Sequence, residues 1–159
     1  MKVLFLDAYN LIYRAKSGFT RGDYYVVYNF FRGLRPLVEK FQPDKVYFVL
    51  EGDPKFRKNL NQAYKANRVN ADRNFHAQKA QIISIMKECL PVTTLRHPDL
   101  ECDDTIATMV KVHHDKGDEC VIISSDSDFN QLLNIYDRCS IYNPVKKIMI
   151  ENPDYDYVV

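Results

Sequence analysis

The chain has 159 residues, 46% of them hydrophobic and 27% charged, the balance of an ordinary soluble globular domain. Lys and Arg number 22 against 21 Asp and Glu, a net charge of +1 that argues against a uniformly basic DNA-coating protein and against an acidic tail, yet leaves room for a local basic patch. No apolar run approaches the ~20 residues that span a bilayer, and Asp7 interrupts the first apolar run too early for a secretion signal, so a cytoplasmic protein with no membrane partner is expected.

In chain order, residues 2–6 are a short apolar run that predicts a strand. Residues 24–41 predict a helix, with Val27, Phe31, Leu34 and Val38 at helical spacing. Residues 45–50 (KVYFVL) are β-branched and aromatic and predict a second strand. A helix is expected over 75–90, carrying Ile82, Ile83, Met86 and Leu90, then a short strand over 92–95. Residues 103–114 place Ile106, Met109, Val110 and His113 on one helical stripe, and 120–124 (CVIIS) read as a central strand. A short helix over 128–133 and strands over 139–142 and 147–150 complete the pattern. Continuous apolar strands alternating with helices imply an α/β fold with a mostly parallel sheet, as one domain over residues 1–159.

The four cysteines include no C-x-x-C pair, so free thiols are expected rather than a zinc knuckle or a disulfide framework. His113 and His114 fall late in a helix, where the helix dipole or plain exposure accounts for them. No catalytic histidine, nucleophile elbow or phosphate-binding glycine loop is expected.

The acids carry the information. Asp7 follows the first strand, Glu51 the second, and Asp126 and Asp128 the fourth. Glu101, Asp103 and Asp104 stand where a helix begins. In an open parallel sheet, ligands bind at the carboxyl ends of the strands, so these acids would converge on one edge. Asp104 and Asp126 taken alone are ordinary helix caps. Capping does not explain Glu51, or three acids within residues 101–104. Such a cluster repels itself, and hard divalent cations relieve it. Mg²⁺ or Mn²⁺ is the expected cofactor, and two such ions about 4 Å apart suit phosphodiester hydrolysis.

Beside the acids lies a basic stretch. Residues 55–73 (KFRKNLNQAYKANRVNADR) hold Lys55, Arg57, Lys58, Lys65, Arg68 and Arg73 against Asp72, a net +5 that leaves −4 for the rest of the chain. Lys58, Lys65 and Arg68 would share one broad helix face, while Phe56 and Tyr64 offer rings for base stacking. Phosphate contacts need such cations.

Five motifs in order carry a family resemblance. Residues 5–14 (FLDAYNLIYR), 48–54 (FVLEGDP), 56–57 with 64–68 (FR, YKANR), 101–104 (ECDD) and 125–133 (SDSDFNQLL) resemble those of the 5′ nucleases. That family includes the 5′–3′ exonuclease domain of DNA polymerase I, phage 5′ exonucleases and flap endonucleases. The resemblance implies a PIN-like core with a helical arch at about residues 54–74. It implies a first metal held by Asp7, Glu51, Glu101 and Asp103. The second would be held by Asp126 and Asp128, with Asp103 or Asp104 near both. It puts Lys65 and Arg68 on the scissile phosphate, Arg57 in the arch, and Tyr9 and Arg14 on the nucleic acid.

Its implied substrate is DNA with 5′ ends or flaps, including RNA–DNA hybrids. Two features depart from the family pattern. Glu51 stands where Asp is usual, and no Gly-rich hairpin of the duplex-gripping helix–three-turn–helix element follows, since all five glycines lie at or before Gly117. A second protein chain supplying that element is therefore an expected partner. A non-catalytic nucleic-acid-binding subunit, a PIN-type single-stranded ribonuclease and a receiver-like phosphoacceptor are the alternatives. The last predicts neither the ECDD motif nor the basic stretch.

Overall fold

The structure is a computed structural model, and it describes residues 1–18, 20, 22–52 and 73–150. The expected arch residues Arg57, Lys58, Tyr64, Lys65 and Arg68 lie outside the described residues.

Six strands form one sheet: β1 (Lys2–Asp7), β2 (Lys45–Val49), β3 (Thr93–Leu95), β4 (Glu119–Ile123), β5 (Cys139–Asn143) and β6 (Ile148–Ile150). Their order is β3-β2-β1-β4-β5-β6. All pairings are parallel except β5 with β6. The described helices are α1 (Ala8–Lys16), α2 (Tyr25–Phe41), α3 (Arg73–Cys89), α4 (Cys102–Asp115) and α5 (Asn130–Ile135), with a 3₁₀ turn at Ser127–Phe129. The mostly parallel α/β architecture read from the strand runs is therefore present.

The central strands are apolar throughout because both faces of the sheet are covered. Successive side chains point to opposite faces. Leu4, Leu6, Phe48, Val121 and Ile123 join the core with residues of α1, α2 and α3. Val3, Phe5, Val49, Cys120 and Ile122 join Ile106 and Val110 of α4 in a second core.

Three details differ from the sequence reading. The buried stripe of α2 is Val26, Phe30, Leu37 and Phe41, one step round from the expected stripe, and Val38 is exposed. Apolar side chains flank both stripes, so spacing alone did not choose between them. The buried Gln78 side chain accepts from the backbone N–H groups of both Val26 and Val27, at 2.9 and 3.3 Å, so it anchors the helix start without choosing a stripe. The Phe30 ring, 5.8 Å from Phe48 of β2, turns the observed stripe to the sheet. The expected helix over 128–133 is instead the 3₁₀ turn followed by α5. His113 is buried rather than a surface residue, with its Nε2 2.9 Å from the Tyr47 hydroxyl and its Nδ1 2.8 Å from Asp118.

The direction in which strands are added reverses between β1 and β4, which remain parallel. The crossovers through α2 and α3 build outward to β2 and β3, while those after α4 build the other way. That reversal opens a crevice at the carboxyl ends of β1 and β4. No helix among the described residues is long and apolar enough to cross a membrane.

Candidate metal centre

Asp7 ends β1, and α1 begins at the next residue, so its carboxylate is delivered to the crevice without a loop. It is buried and held by two donors. The Ser124 hydroxyl donates to Oδ2 at 2.8 Å, and the Cys102 thiol donates to Oδ1 at 3.4 Å. Burial raises its pKa above the ordinary carboxylate range, and the two donors oppose that rise.

Glu51 lies two residues beyond β2, and its Oε1 accepts the backbone N–H of Cys102 at 3.3 Å. Glu101 is the N-cap of α4, and its carbonyl accepts the Thr105 N–H at 3.1 Å. Asp103 is half-buried in the first turn of that helix. Asp126 caps the 3₁₀ turn, its Oδ1 accepting the Asp128 N–H at 3.0 Å. The capping role expected of Asp126 is thus real, and it holds the carboxylate at the crevice mouth.

Asp103, Asp126 and Asp128 each present an oxygen within 4.8 Å of the other two. Burial first, then the charges of Asp126, Asp7, Glu51 and Asp128, push Asp103 up to about 6. Those four acids are therefore all felt at one carboxyl group. Asp104 is not one of the three; a helix turns about 100° per residue, and it projects to the exposed side. It lines an open cavity of about 330 Å³ together with Asp103 and Asp128.

The donor set fits a hard dication. Every clustered donor is a carboxylate oxygen, the charges of four neighbouring acids add to the burial that raises Asp103, and the cavity is open to solvent for retained waters. The nearby sulfur of Cys102 is fully buried, and burial together with Asp7 pushes its thiol far up, so it serves as a hydrogen-bond donor.

The expected nucleic-acid residues fall in two places. Tyr9 is half-buried in the first turn of α1; its hydroxyl accepts from Arg96 at 3.3 Å, and Lys79 Nζ lies 4.1 Å from its ring centroid. Arg14 lines a separate cavity of about 510 Å³ between α1 and α2, with Gly33 and Tyr142 and none of the acids. Ser124, Lys79 and Arg96 were not singled out by the sequence. Ser124 had one available signal, a hydroxyl at the end of an apolar strand immediately before the D-x-D run.

A model of the 5′–3′ exonuclease N-terminal, resolvase-like domain matches residues 2–157. The chain belongs to that family. The resemblance read from the five motifs is borne out, and the family is one of nuclease domains.

DNA polymerase I of Treponema pallidum is 40% identical over 139 residues, which are 80% of this chain and 14% of that one. The thermostable DNA polymerase I of Thermus caldophilus is 33% identical over 150 residues, 90% of this chain and 18% of that one. The family member described here thus spans less than a fifth of these relatives.

Solved structures show the same fold. The 5′-exonuclease of phage T5 with bound zinc matches 99% of this chain and 60% of its own, with a TM-score of 0.78 at 20% identity. The Rad2 catalytic core in complex with DNA matches 94% of this chain and 44% of its own, with a TM-score of 0.59 at 16% identity. The PIN-like class expected from the sequence agrees with these neighbours.

Proposed function

We propose that this domain hydrolyses DNA phosphodiesters at 5′ ends or flaps, RNA–DNA hybrids included, with two divalent cations, Mg²⁺ or Mn²⁺. The observation that carries the reading is the convergence of Asp103, Asp126 and Asp128 at one edge, beside the buried Asp7. Cations held there supply a water of lowered pKa and a positive clamp on the phosphate.

The chain's own residues do the rest. Ser124 and Cys102 fix the Asp7 carboxylate, so it needs no reordering on loading. Glu51, Glu101 and Asp103 complete the set proposed for one ion. Asp126 and Asp128 form the other, with Asp103 between and Asp104 at the rim. Lys65 and Arg68 are proposed to meet the scissile phosphate and offset its developing charge, with Arg57, Lys58 and Tyr64 contributing contacts from the same segment.

Incubation with labelled 5′-flap DNA and with single-stranded RNA, in Mg²⁺, Mn²⁺ or EDTA, tests the reading. Divalent-dependent DNA cleavage is expected. Cleavage of RNA alone would make the domain a single-stranded ribonuclease, and DNA binding without cleavage would make it a non-catalytic subunit. The same assay with and without an added helix–three-turn–helix chain tests the expected protein partner. Lys65→Ala is expected to slow cleavage more than it weakens binding.

A further inference from the structure

Two cations outside the basic stretch converge on one aromatic ring beside the acids. Tyr9 comes from α1, Lys79 from the middle of α3, and Arg96 from the residue just past β3. Lys79 Nζ lies 4.1 Å from the Tyr9 ring centroid, and an Arg96 N–H donates to the Tyr9 hydroxyl at 3.3 Å. Three separate elements therefore bring two like charges to a single ring, one over its face and one at its hydroxyl. No ion pair between described residues involves Lys79 or Arg96.

Packing alone gives a weak reason for this arrangement. A cation over a ring at a partly exposed site is worth about 0.5–1 kcal/mol, and the two cations repel each other. Arg96 is exposed and free to turn into solvent. Burial, followed by the charge of Arg96, lowers the Lys79 pKa, and Glu51 opposes the shift. An anion bound between Lys79 and Arg96 would relieve their mutual repulsion.

The position says which anion. Along the carboxyl edge of the sheet, Arg96 follows β3, Glu51 follows β2, Tyr9 follows β1, and Asp126 follows β4. A polynucleotide strand laid along that edge puts one phosphate at the acids and a neighbouring one at Lys79 and Arg96. The geometry points to a phosphate-binding subsite formed by Lys79 and Arg96 across Tyr9, which holds a nucleic-acid phosphate adjacent to the one at the acidic cluster. This rests on the nucleic-acid reading above. It also narrows the part expected of Tyr9, since Lys79 occupies one side of its ring and Tyr9 acts here as the spacer between the cations.

The phosphate is either internal to the strand or a 5′-terminal monophosphate, and the test separates them. Fluorescence anisotropy with a labelled single-stranded oligonucleotide in EDTA reads binding without cleavage. The slope of log affinity against log salt is expected to fall by about 0.7 in the Lys79→Ala/Arg96→Ala variant, the amount for one lost phosphate contact on a single strand. Lys79→Arg is expected to keep the wild-type slope, and Tyr9→Phe to weaken binding only while Arg96 is present.

A single neutral methylphosphonate, walked along the strand, is expected to weaken the wild type at one position and to leave the double variant indifferent there. If a 5′-hydroxyl end does this instead, the ligand is the terminal phosphate. An unchanged salt slope in the double variant would overturn the subsite, as would equal sensitivity of both proteins to every neutral substitution. Because binding is read without metal, a protein that binds through this pair yet never cuts would uphold the subsite and refute the nuclease reading. Cleavage with an unaltered slope would do the reverse.

Discussion

The Ser124 hydroxyl donates to the Asp7 carboxylate at 2.8 Å, joining residues 117 positions apart in the chain. The bond ties the end of β1 to the end of β4 at the crevice. The Cys102 thiol on the other oxygen adds the start of α4. One buried carboxylate is thus the knot of three elements, and its orientation depends on the Ser124 and Cys102 side chains.

Removing that support is expected to weaken metal binding without removing a ligand. Ser124→Ala should lower Mn²⁺ affinity by about 10–100-fold, the range for lost partners of a ligating group. Cys102→Ala should cost less, because a thiol is the weaker donor. Calorimetric Mn²⁺ titration reads both. Wild-type affinity in Ser124→Ala would show that the bond does not orient Asp7.

Asp126→Asn separates capping from ligation. Asn caps about as well as Asp, so the 3₁₀ turn should persist. Without metal the variant should be no less stable than wild type, since a like charge leaves the cluster. With Mn²⁺ it should gain far less stability, and DNA cleavage should be abolished. Thermal unfolding in EDTA and in Mn²⁺ checks the first two. Full activity would remove Asp126 from the metal site.

The Asp103 carboxyl, pushed up to about 6 from 3.8, sets a pH window. Between those values the folded chain keeps a proton that the unfolded chain has released. Metal-free stability should therefore fall as pH rises from about 4 to about 6 and level off above that. A cation competes for the same group, so Mn²⁺ affinity should climb about tenfold per pH unit up to about 6 and then flatten. Melting curves in EDTA and Mn²⁺ titrations across that range test both slopes. A metal-free stability that rises through the window would contradict the raised value.

Gly52 is expected to tolerate no side chain. A Cβ there would collide with the carbonyl oxygens of His97 and Leu100. The loop carrying them leads directly into Glu101 and α4. Gly52→Ala should cost on the order of 1–3 kcal/mol, the scale of overpacking a filled space, and should weaken Mn²⁺ binding as well. Chemical denaturation and metal titration give the two numbers. A loss of stability with unchanged metal affinity would mean that the loop shifts without moving the acids.

What the sequence revealed follows from what each residue must satisfy locally. A strand buried on both faces must be apolar along its length, so β1, β2 and β4 were legible as runs. Acids after strands were legible because nothing else explains so many together. The stripe of α2 was not, since Val26 and Val27 are equally apolar and the choice is made by tertiary packing such as that of Phe30 on Phe48. Asp103 and Asp104 looked equivalent in the ECDD run, yet the rotation of about 100° between successive helical residues separates a half-buried acid from an exposed one. Lys79 and Arg96 carried no signal, for each is a single cation in unremarkable surroundings until the sheet brings both to Tyr9.

The parallel pairing of β1 with β4, from Lys2 opposite Glu119 to Leu6 opposite Ile123, has a consequence for timing. Asp7 precedes its partner Ser124 by 117 residues. Synthesis at about 5–20 residues per second leaves several seconds between them. Once Glu51 has been added, and until β4 is complete, a growing chain carries Asp7 and Glu51 but not Asp126 or Asp128. The acidic cluster of Asp103, Asp126 and Asp128 therefore assembles only once β4 has paired beside β1.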